Sequence, residues 1–131
     1  MWFQIVKVTM GLLLLLAVAV QYNDPDPGRW VVMYGLAGLV SLAHGRLKAA
    51  CVAAPAILGA VALAWALYLA ATTGGYVNGS ELLGSMDPRR PEIEENREMI
   101  GLAIVAIWMA VLAWRGLRRP AGGRHEGAGT P

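Results

Sequence analysis

Two short polar segments carry most of the acidic side chains of this apolar chain. The first reads QYNDPDPGRW, Gln21 to Trp30, and directly follows the uncharged run Val8 to Val20; the second, further along the chain, contains EENREMIGL. Carboxylates that are partly withdrawn from water must pair with a positive charge, bind a cation or take up a proton. The candidate chemistry is therefore binding of a hard cation through oxygen ligands, binding of a cationic group, or holding of a proton.

Helical spacing predicts that the second segment presents its polar groups together. Glu94, Arg97, Glu98 and Gly101 share one helix face at i, i+3, i+4 and i+7. If that face points inward, it meets the first segment at one level, where Arg97 and Arg29 could neutralise some of the acids. The candidate ligand-binding residues are Asn23, Asp24, Asp26, Trp30, Tyr34, Glu94, Arg97 and Glu98. The residue types do not identify a metal.

Two other interpretations of the first segment remain open. Each proline fixes its own backbone angle and disfavours helix at the preceding aspartate, so the segment also suits a rigid turn between helices. Asn23 and Asp24 can cap backbone groups in such a turn, and Asp26 or Gly28 can stand at the N-cap of the next helix. The same polar surface could instead dock a partner protein, and glutamates in a first helical turn also suit a solvated helix start.

The composition places these segments in a membrane protein. Of 131 residues, 56% are hydrophobic and 15% are charged, whereas soluble domains are about 45–50% apolar and about 25% charged. Hydrophobic runs predict an all-α, polytopic protein with an antiparallel bundle of four transmembrane helices, at about residues 3–21, 30–47, 49–71 and 98–117. The first run is interpreted as a membrane span rather than a cleaved signal peptide. An outer loop covers residues 72–97, helix four begins near Pro91, and residues 118–131 form a disordered basic tail.

The distribution of charge predicts the orientation. One side of the membrane receives seven basic residues, Lys7, Arg46, Lys48, Arg115, Arg118, Arg119 and Arg124, and the other receives four, Arg29, Arg89, Arg90 and Arg97. The side with more lysine and arginine is normally cytoplasmic. The expectation is a protein of the cytoplasmic (inner) membrane with both termini in the cytoplasm and the acidic segments outside. Lys7 is expected to extend to the lipid headgroups.

Small residues predict where the helices meet, because helices in lipid associate through close backbone approach. The predicted contact stripes are Ala37, Ser41 and Gly45 with Gly35 and Gly38; Ala56, Ala60 and Ala64 with Gly59; and Gly101, Ala106 and Ala110. The partners are the lipid bilayer and, through these stripes, a second copy or a partner membrane protein. Trp2, Trp30, Tyr34, Tyr68, Tyr76 and Trp114 are predicted to anchor the chain at the membrane interfaces.

Several kinds of chemistry lack their residues in this sequence. There is no Cys-x-x-Cys, His-x-x-x-His or Gly-x-Ser-x-Gly, so the common thiol, zinc and serine-hydrolase sites are not indicated. No cofactor is indicated either, and His44 is expected at the interface. The basic residues do not form the dense patch with interleaved aromatics that nucleic acid requires. The sequence therefore favours a non-enzymatic protein.

The two motifs together resemble the transmembrane protein 220 family, small four-helix membrane proteins. QYNDPDP with Trp30, Tyr34 and Gly35, followed by EENREMIGL, carries the resemblance from helix one to helix four. The family's signature positions fall on Asn23, Asp24, Pro25, Asp26, Pro27, Trp30, Tyr34, Gly35, Glu94, Glu95, Arg97, Glu98 and Gly101. The resemblance implies a multi-pass membrane protein and no reaction. The expected function is an accessory or assembly protein with a rigid acidic outer rim, and the alternative is a protein that binds a small ligand or cation there, with enzymatic activity left open.

Overall fold

The chain is helical throughout the residues that the computed structural model describes, which are 1–24, 26–48, 50–84 and 89–119. The elements are α1 (Trp2–Val20), a 3-10 turn (Gln21–Asn23), α2 (Pro27–Ala43), α3 (Ala53–Thr72), α4 (Gly79–Leu82) and α5 (Pro91–Leu117). The described residues contain no strand, so the predicted all-α class is confirmed. Most of the predicted basic tail, from residue 120 onward, lies outside the described residues.

Within these ranges, three helices are long and apolar enough to cross a membrane. They cover Trp2–Asn23, Ala53–Thr72 and Pro91–Leu117, with mean hydropathies of 2.2, 1.9 and 2.0. The remaining long helix, α2, has 17 residues. Its length is about 26 Å at about 1.5 Å per residue, slightly less than the roughly 30 Å of a hydrocarbon core.

The second and third predicted membrane spans differ from α2 and α3 at the turn that joins these two helices. α2 ends at Ala43 rather than at residue 47, because His44 has an extended ψ of 123° and Gly45 has a φ of 91°. Such a positive φ terminates a helix and is readily adopted only by glycine. α3 begins at Ala53 rather than at residue 49. α5 begins at Pro91, as the proline and the following glutamates predict.

The helices pack as two pairs, α1 with α2 and α3 with α5. α1 and α2 approach closely where Gly11 faces Gly38, and a Cβ on Gly38 would lie 3.1 Å from the Gly11 carbonyl oxygen. In the second pair, Gly59 of α3 lies against Met109 of α5. Because side chains are absent at these positions, the helix backbones come near enough for close van der Waals packing.

The contact face predicted for α3 is only partly correct within the chain, because its glycine is buried but its alanines are exposed. Ala56, Ala60 and Ala64 are exposed, whereas Gly59, Ala62 and Ala66 are buried. Small residues occupy both faces of this helix, so composition alone cannot tell which face packs. On α2, Ala37 and Ser41 are buried as predicted, but Gly45 lies beyond the helix end.

Large side chains join one helix pair to the other. Trp30 of α2 stacks on Trp65 of α3 with ring centroids 4.9 Å apart. The indole Nε1–H of Trp108 in α5 donates a hydrogen bond of 2.9 Å to Ser41 Oγ in α2. Trp30 is only 1% exposed, so it is a core residue and not the predicted interface anchor.

Lys7 and His44 also differ from the sequence prediction. Lys7 is 5% exposed, and its ammonium group donates a 2.9 Å hydrogen bond to the His44 carbonyl oxygen. It therefore ties α1 to the end of α2 instead of extending to headgroups. His44 is buried as well, rather than placed at an interface. We call this end of the molecule the basic end, and the opposite end, where α2 and α5 begin, the acidic end.

Candidate functional site

The segment between α1 and α2 forms a tight turn that fixes Asp24 at the acidic end. The Asp24 backbone N–H donates to the Gln21 carbonyl oxygen at 3.0 Å. The Asp24 carboxylate in turn accepts a 2.8 Å hydrogen bond from the Asp26 backbone N–H. The predicted capping role of Asp24 is thus observed. This hydrogen bond to one carboxylate oxygen stabilises the turn and also orients the half-buried Asp24 side chain.

Asp26 and Asn23 lie apart from the other predicted site residues. Asp26 occupies the N-cap position of α2, but its side chain makes no capping hydrogen bond. It pairs with Arg29 instead at 3.0 Å, with the two side chains 68% and 47% exposed. Such an exposed pair contributes about 0–1 kcal/mol. Asn23 is exposed too, so these two positions remain on the surface.

Three carboxylates converge where this turn meets the first turns of α5. Asp24, Glu94 and Glu98 each offer one oxygen, and these oxygens all lie within 4.8 Å of one another. All three residues are half-buried. The Glu98 carboxylate is repelled by Glu94 and Asp24 and attracted by Arg29. We call these three residues the carboxylate cluster.

The carboxylate cluster borders a small cavity of about 130 Å³. Its walls are Gln21, Asp24, Trp30, Tyr34, Glu94, Arg97 and Glu98. Six of the eight residues predicted from the sequence therefore lie together, and Asn23 and Asp26 do not. Gln21 was missed, although it stands directly before the acidic turn and its amide could have been counted among the polar groups there.

Arg97 lines the cavity but does not pair with the acids as predicted. Its guanidinium donates from Nε to the Leu82 carbonyl oxygen at 2.7 Å and from Nη2 to the Gly84 carbonyl oxygen. Arg97 therefore fastens the loop after α4 to α5. The ion pairs among the described residues join Arg29 to Asp26 and Arg90 to Glu81 and Glu92, rather than to the acids of α5 beside the cavity.

The short helix α4 is held over α5 by its own local contacts. The Asn78 and Glu81 side chains form a capping box at its start. Arg90 forms ion pairs with Glu81 at 2.6 Å and with Glu92 at 3.0 Å. The hydrogen bond from Arg90 holds the pKa of Glu81 below its usual value. Because Arg90 is held by these two ion pairs, it does not pair with the carboxylate cluster.

Two aromatic side chains of α2 form the inner wall of the cavity. Trp30 and Tyr34 stack with ring centroids 6.0 Å apart. The Tyr34 hydroxyl lies against Gly101 of α5, where any side chain would overlap it. The glycine of the EENREMIGL motif thus makes room for the tyrosine of the first motif. The buried Trp30 indole N–H lies near Glu98 but makes no hydrogen bond of normal geometry.

The arrangement is suited to binding a hard cation. The available ligands are carboxylate oxygens, with the Gln21 amide and the Tyr34 hydroxyl in the same wall. Oxygen ligands of this kind suit Ca²⁺, Mg²⁺ or Mn²⁺, and no cysteine or histidine lines the cavity to favour a softer metal. Bound charge would also relieve the repulsion among the three acids.

Comparison with known proteins supports the membrane assignment. The model of the family described as transmembrane family 220, helix, matches residues 13–114. No solved structure matches the chain. Because the family match covers most of the sequence and both acidic motifs, the chain belongs to transmembrane family 220 and is a multi-pass membrane protein.

Proposed function

We propose that this member of transmembrane family 220 is a non-enzymatic protein of the cytoplasmic membrane that binds one hard cation of calcium's size at its outer end. The observation that carries the proposal is the carboxylate cluster, whose three oxygens lie within 4.8 Å of one another. A Ca²⁺–oxygen distance of about 2.4 Å places opposite ligands about 4.8 Å apart. The spacing therefore fits one coordination sphere.

The size of the cavity supports an ion over an organic ligand. Its volume is about 130 Å³, and a water molecule occupies about 30 Å³ in the liquid. The space thus accommodates an ion with a few waters. Pockets for drug-sized molecules are larger, at about 300–1,000 Å³.

The Trp30 indole gives a related indication, because it lies beside Glu98 of the same carboxylate cluster. Its N–H group makes no hydrogen bond of normal geometry among the described residues, although it lies near the Glu98 carboxylate, and the residue is 1% exposed. When an ion draws the acids inward, Glu98 can turn an oxygen toward the indole and satisfy it.

The orientation in the membrane is part of the proposal. α2 serves as a fourth span in an antiparallel bundle, shortened because its ends lie in the Asp24 turn and in the turn at Gly45. An even number of spans puts both termini on one side, and the basic end is cytoplasmic by the excess of lysine and arginine. The carboxylate cluster then faces the exterior.

An accessory or assembly role is the second candidate, and it does not compete with cation binding. Tyr22 is 78% exposed, and its neighbours Asn23 and Asp26 are exposed outside the cavity. This surface is polar and rigid, and none of its side chains belongs to the carboxylate cluster. It therefore supports docking of a partner membrane protein at the same end.

Terbium luminescence tests cation binding, because Tb³⁺ replaces Ca²⁺ and is excited by a nearby indole. The purified protein should sensitise Tb³⁺ emission through Trp30, and Ca²⁺ should displace it. Glu98→Gln removes a ligand, and the affinity should fall by at least about 10–100-fold, a loss seen even for outer-shell partners of metals.

The matched control is Glu95→Gln, which removes the same charge three residues before Glu98 on α5, at a position that does not line the cavity. This variant should bind Tb³⁺ like the unmodified protein. Equal losses in both variants, or no sensitised emission at all, would contradict the proposed cation site.

A further inference from the structure

A second candidate site lies at the basic end, on the outside of the α3–α5 pair. A groove of about 510 Å³ runs between these helices, and every residue that lines it is apolar. The floor of the groove is made of small residues, since Gly59 and Ala60 of α3 face Ala110 of α5. Ala60 and Ala110 are both exposed, so the groove opens to the surroundings of the helices.

The dimensions of this groove suit an extended alkyl chain. On α5 its lining extends from Ala106 to Leu117, which is about 17 Å at about 1.5 Å per residue. It begins where α3 starts and α5 ends, beside Pro55 and Trp114, and continues toward the middle of both helices. The opening is therefore at the level of the headgroups and the interior is at the level of the acyl chains.

Two arginines follow the end of α5, next to the residues that line the groove. The Arg118 guanidinium lies 4.1 Å from the centroid of the Trp114 ring, and Trp114 itself lines the groove. Arg119 extends from the same helix end toward the Cys51 sulfur at 3.9 Å. Its guanidinium also covers Gly45, which has no side chain to obstruct it. The guanidinium groups are thus held by aromatic and backbone surfaces.

Among the described residues, no aspartate or glutamate accompanies these cations at their end of the molecule. In the sequence, no aspartate or glutamate occurs between Asp26 and Glu81, or between Glu98 and Glu126. The ion pairs found in the described part of the chain all involve residues of the acidic end. Lys7 and Arg46 add to the positive field, since Lys7 is repelled by Arg46 and Arg119.

We propose that the groove binds one acyl chain of an anionic phospholipid, and that Arg118 and Arg119 bind its headgroup phosphate. An apolar groove beside arginine side chains matches both halves of such a lipid. Basic pockets between transmembrane helices are recognised sites for acidic headgroups, and arginine can bind phosphate oxygens through two hydrogen bonds. This site is independent of the carboxylate cluster.

Native mass spectrometry of the delipidated full chain tests the proposal. Phosphatidylglycerol, phosphatidylcholine and inorganic phosphate are added separately at matched concentrations. We expect one phosphatidylglycerol per chain, little phosphatidylcholine and no retained phosphate. Arg118→Gln should weaken phosphatidylglycerol binding about fivefold, as expected for one charge at the membrane surface. Arg89→Gln, the same charge change at the acidic end, should leave it unaltered.

A second pair of variants tests the groove itself. Ala60→Leu fills the acyl-chain path, whereas Ala64→Leu adds the same atoms one helical turn away at an exposed position outside the groove. Only Ala60→Leu should abolish lipid retention. Equal retention by both variants, equal binding of the two lipids, or retention of phosphate alone would overturn the proposal. So would a dimer that only Ala60→Leu dissociates, because a second copy would then occupy the groove.

Discussion

Replacing Glu98 by glutamine should stabilise the cation-free protein and weaken its response to Ca²⁺. The carboxylate cluster brings Asp24, Glu94 and Glu98 oxygens within 4.8 Å of one another. Two unit charges at that distance repel by about 1 kcal/mol at the dielectric constant of water and by about 3 kcal/mol at an effective value of 20. Glu98 takes part in two such pairs.

Other terms reduce this gain. Arg29 attracts Glu98, and glutamine at this position loses that attraction. The cluster is half-buried, so solvent screens part of the repulsion. The net stabilisation of the cation-free protein is therefore about 1–3 kcal/mol. With Ca²⁺ at a hundredfold excess over its dissociation constant, the unmodified protein should gain about 2.7 kcal/mol. A variant whose affinity is about 10–100-fold weaker should gain only about 0.4–1.4 kcal/mol.

The assay is thermal unfolding in detergent, measured with a chelator and with Ca²⁺. In chelator, Glu98→Gln should unfold at a higher temperature than the unmodified protein; in Ca²⁺ the order should reverse or the difference disappear. Glu95→Gln is the control and should respond to Ca²⁺ normally. A Glu98→Gln protein that is less stable in chelator and is stabilised by Ca²⁺ as much as the unmodified protein would refute the reasoning, since the cluster would then be neither repulsive nor a ligand set.

Two further substitutions test the contacts that shape the cavity and join the helix pairs. Gly101→Ala places a methyl group against the Tyr34 hydroxyl and should lower the free energy of unfolding by about 1–3 kcal/mol. Gly28→Ala is the control, because a methyl group there meets nothing within 4 Å. Equal unfolding temperatures of the two variants would show that Tyr34 moves freely. Ser41→Ala leaves the buried Trp108 N–H without its acceptor and should cost about 1–3 kcal/mol in the same measurement, so an unchanged unfolding temperature would show that this hydrogen bond does not hold the pairs together.

The elements of the fold follow from patterns that the sequence displays directly. Long hydrophobic runs predict the helices, and Pro91 with the following glutamates predicts where α5 begins. Helical spacing also predicts that Glu94 and Glu98 share a face, and their position beside Asp24 follows if that face is buried. The sequence suffices for these predictions because the start of α5 and the shared face of Glu94 and Glu98 each depend on residues within about one turn of the helix.

The failures concern side chains whose partners come from elsewhere in the chain. Arg97 has the right helical position to meet the acids, but carbonyl groups of the α4 loop bind it instead. Trp30 is in the right place for an interface anchor, yet Trp65 of another helix covers it. Gly45 is the exception, because a glycine after a helix signals its end. Interpreting it as a packing residue places the end of the predicted second helix at residue 47 rather than at Ala43.

Locating the ion directly is the most decisive measurement for the proposed function. Crystals of the protein grown with Tb³⁺ or Mn²⁺ should give one anomalous peak about 2.0–2.6 Å from oxygens of Asp24, Glu94 and Glu98. Crystals of Glu98→Gln should lack this peak. No peak in the carboxylate cluster, or a peak only at exposed acids such as Asp26, would contradict the account.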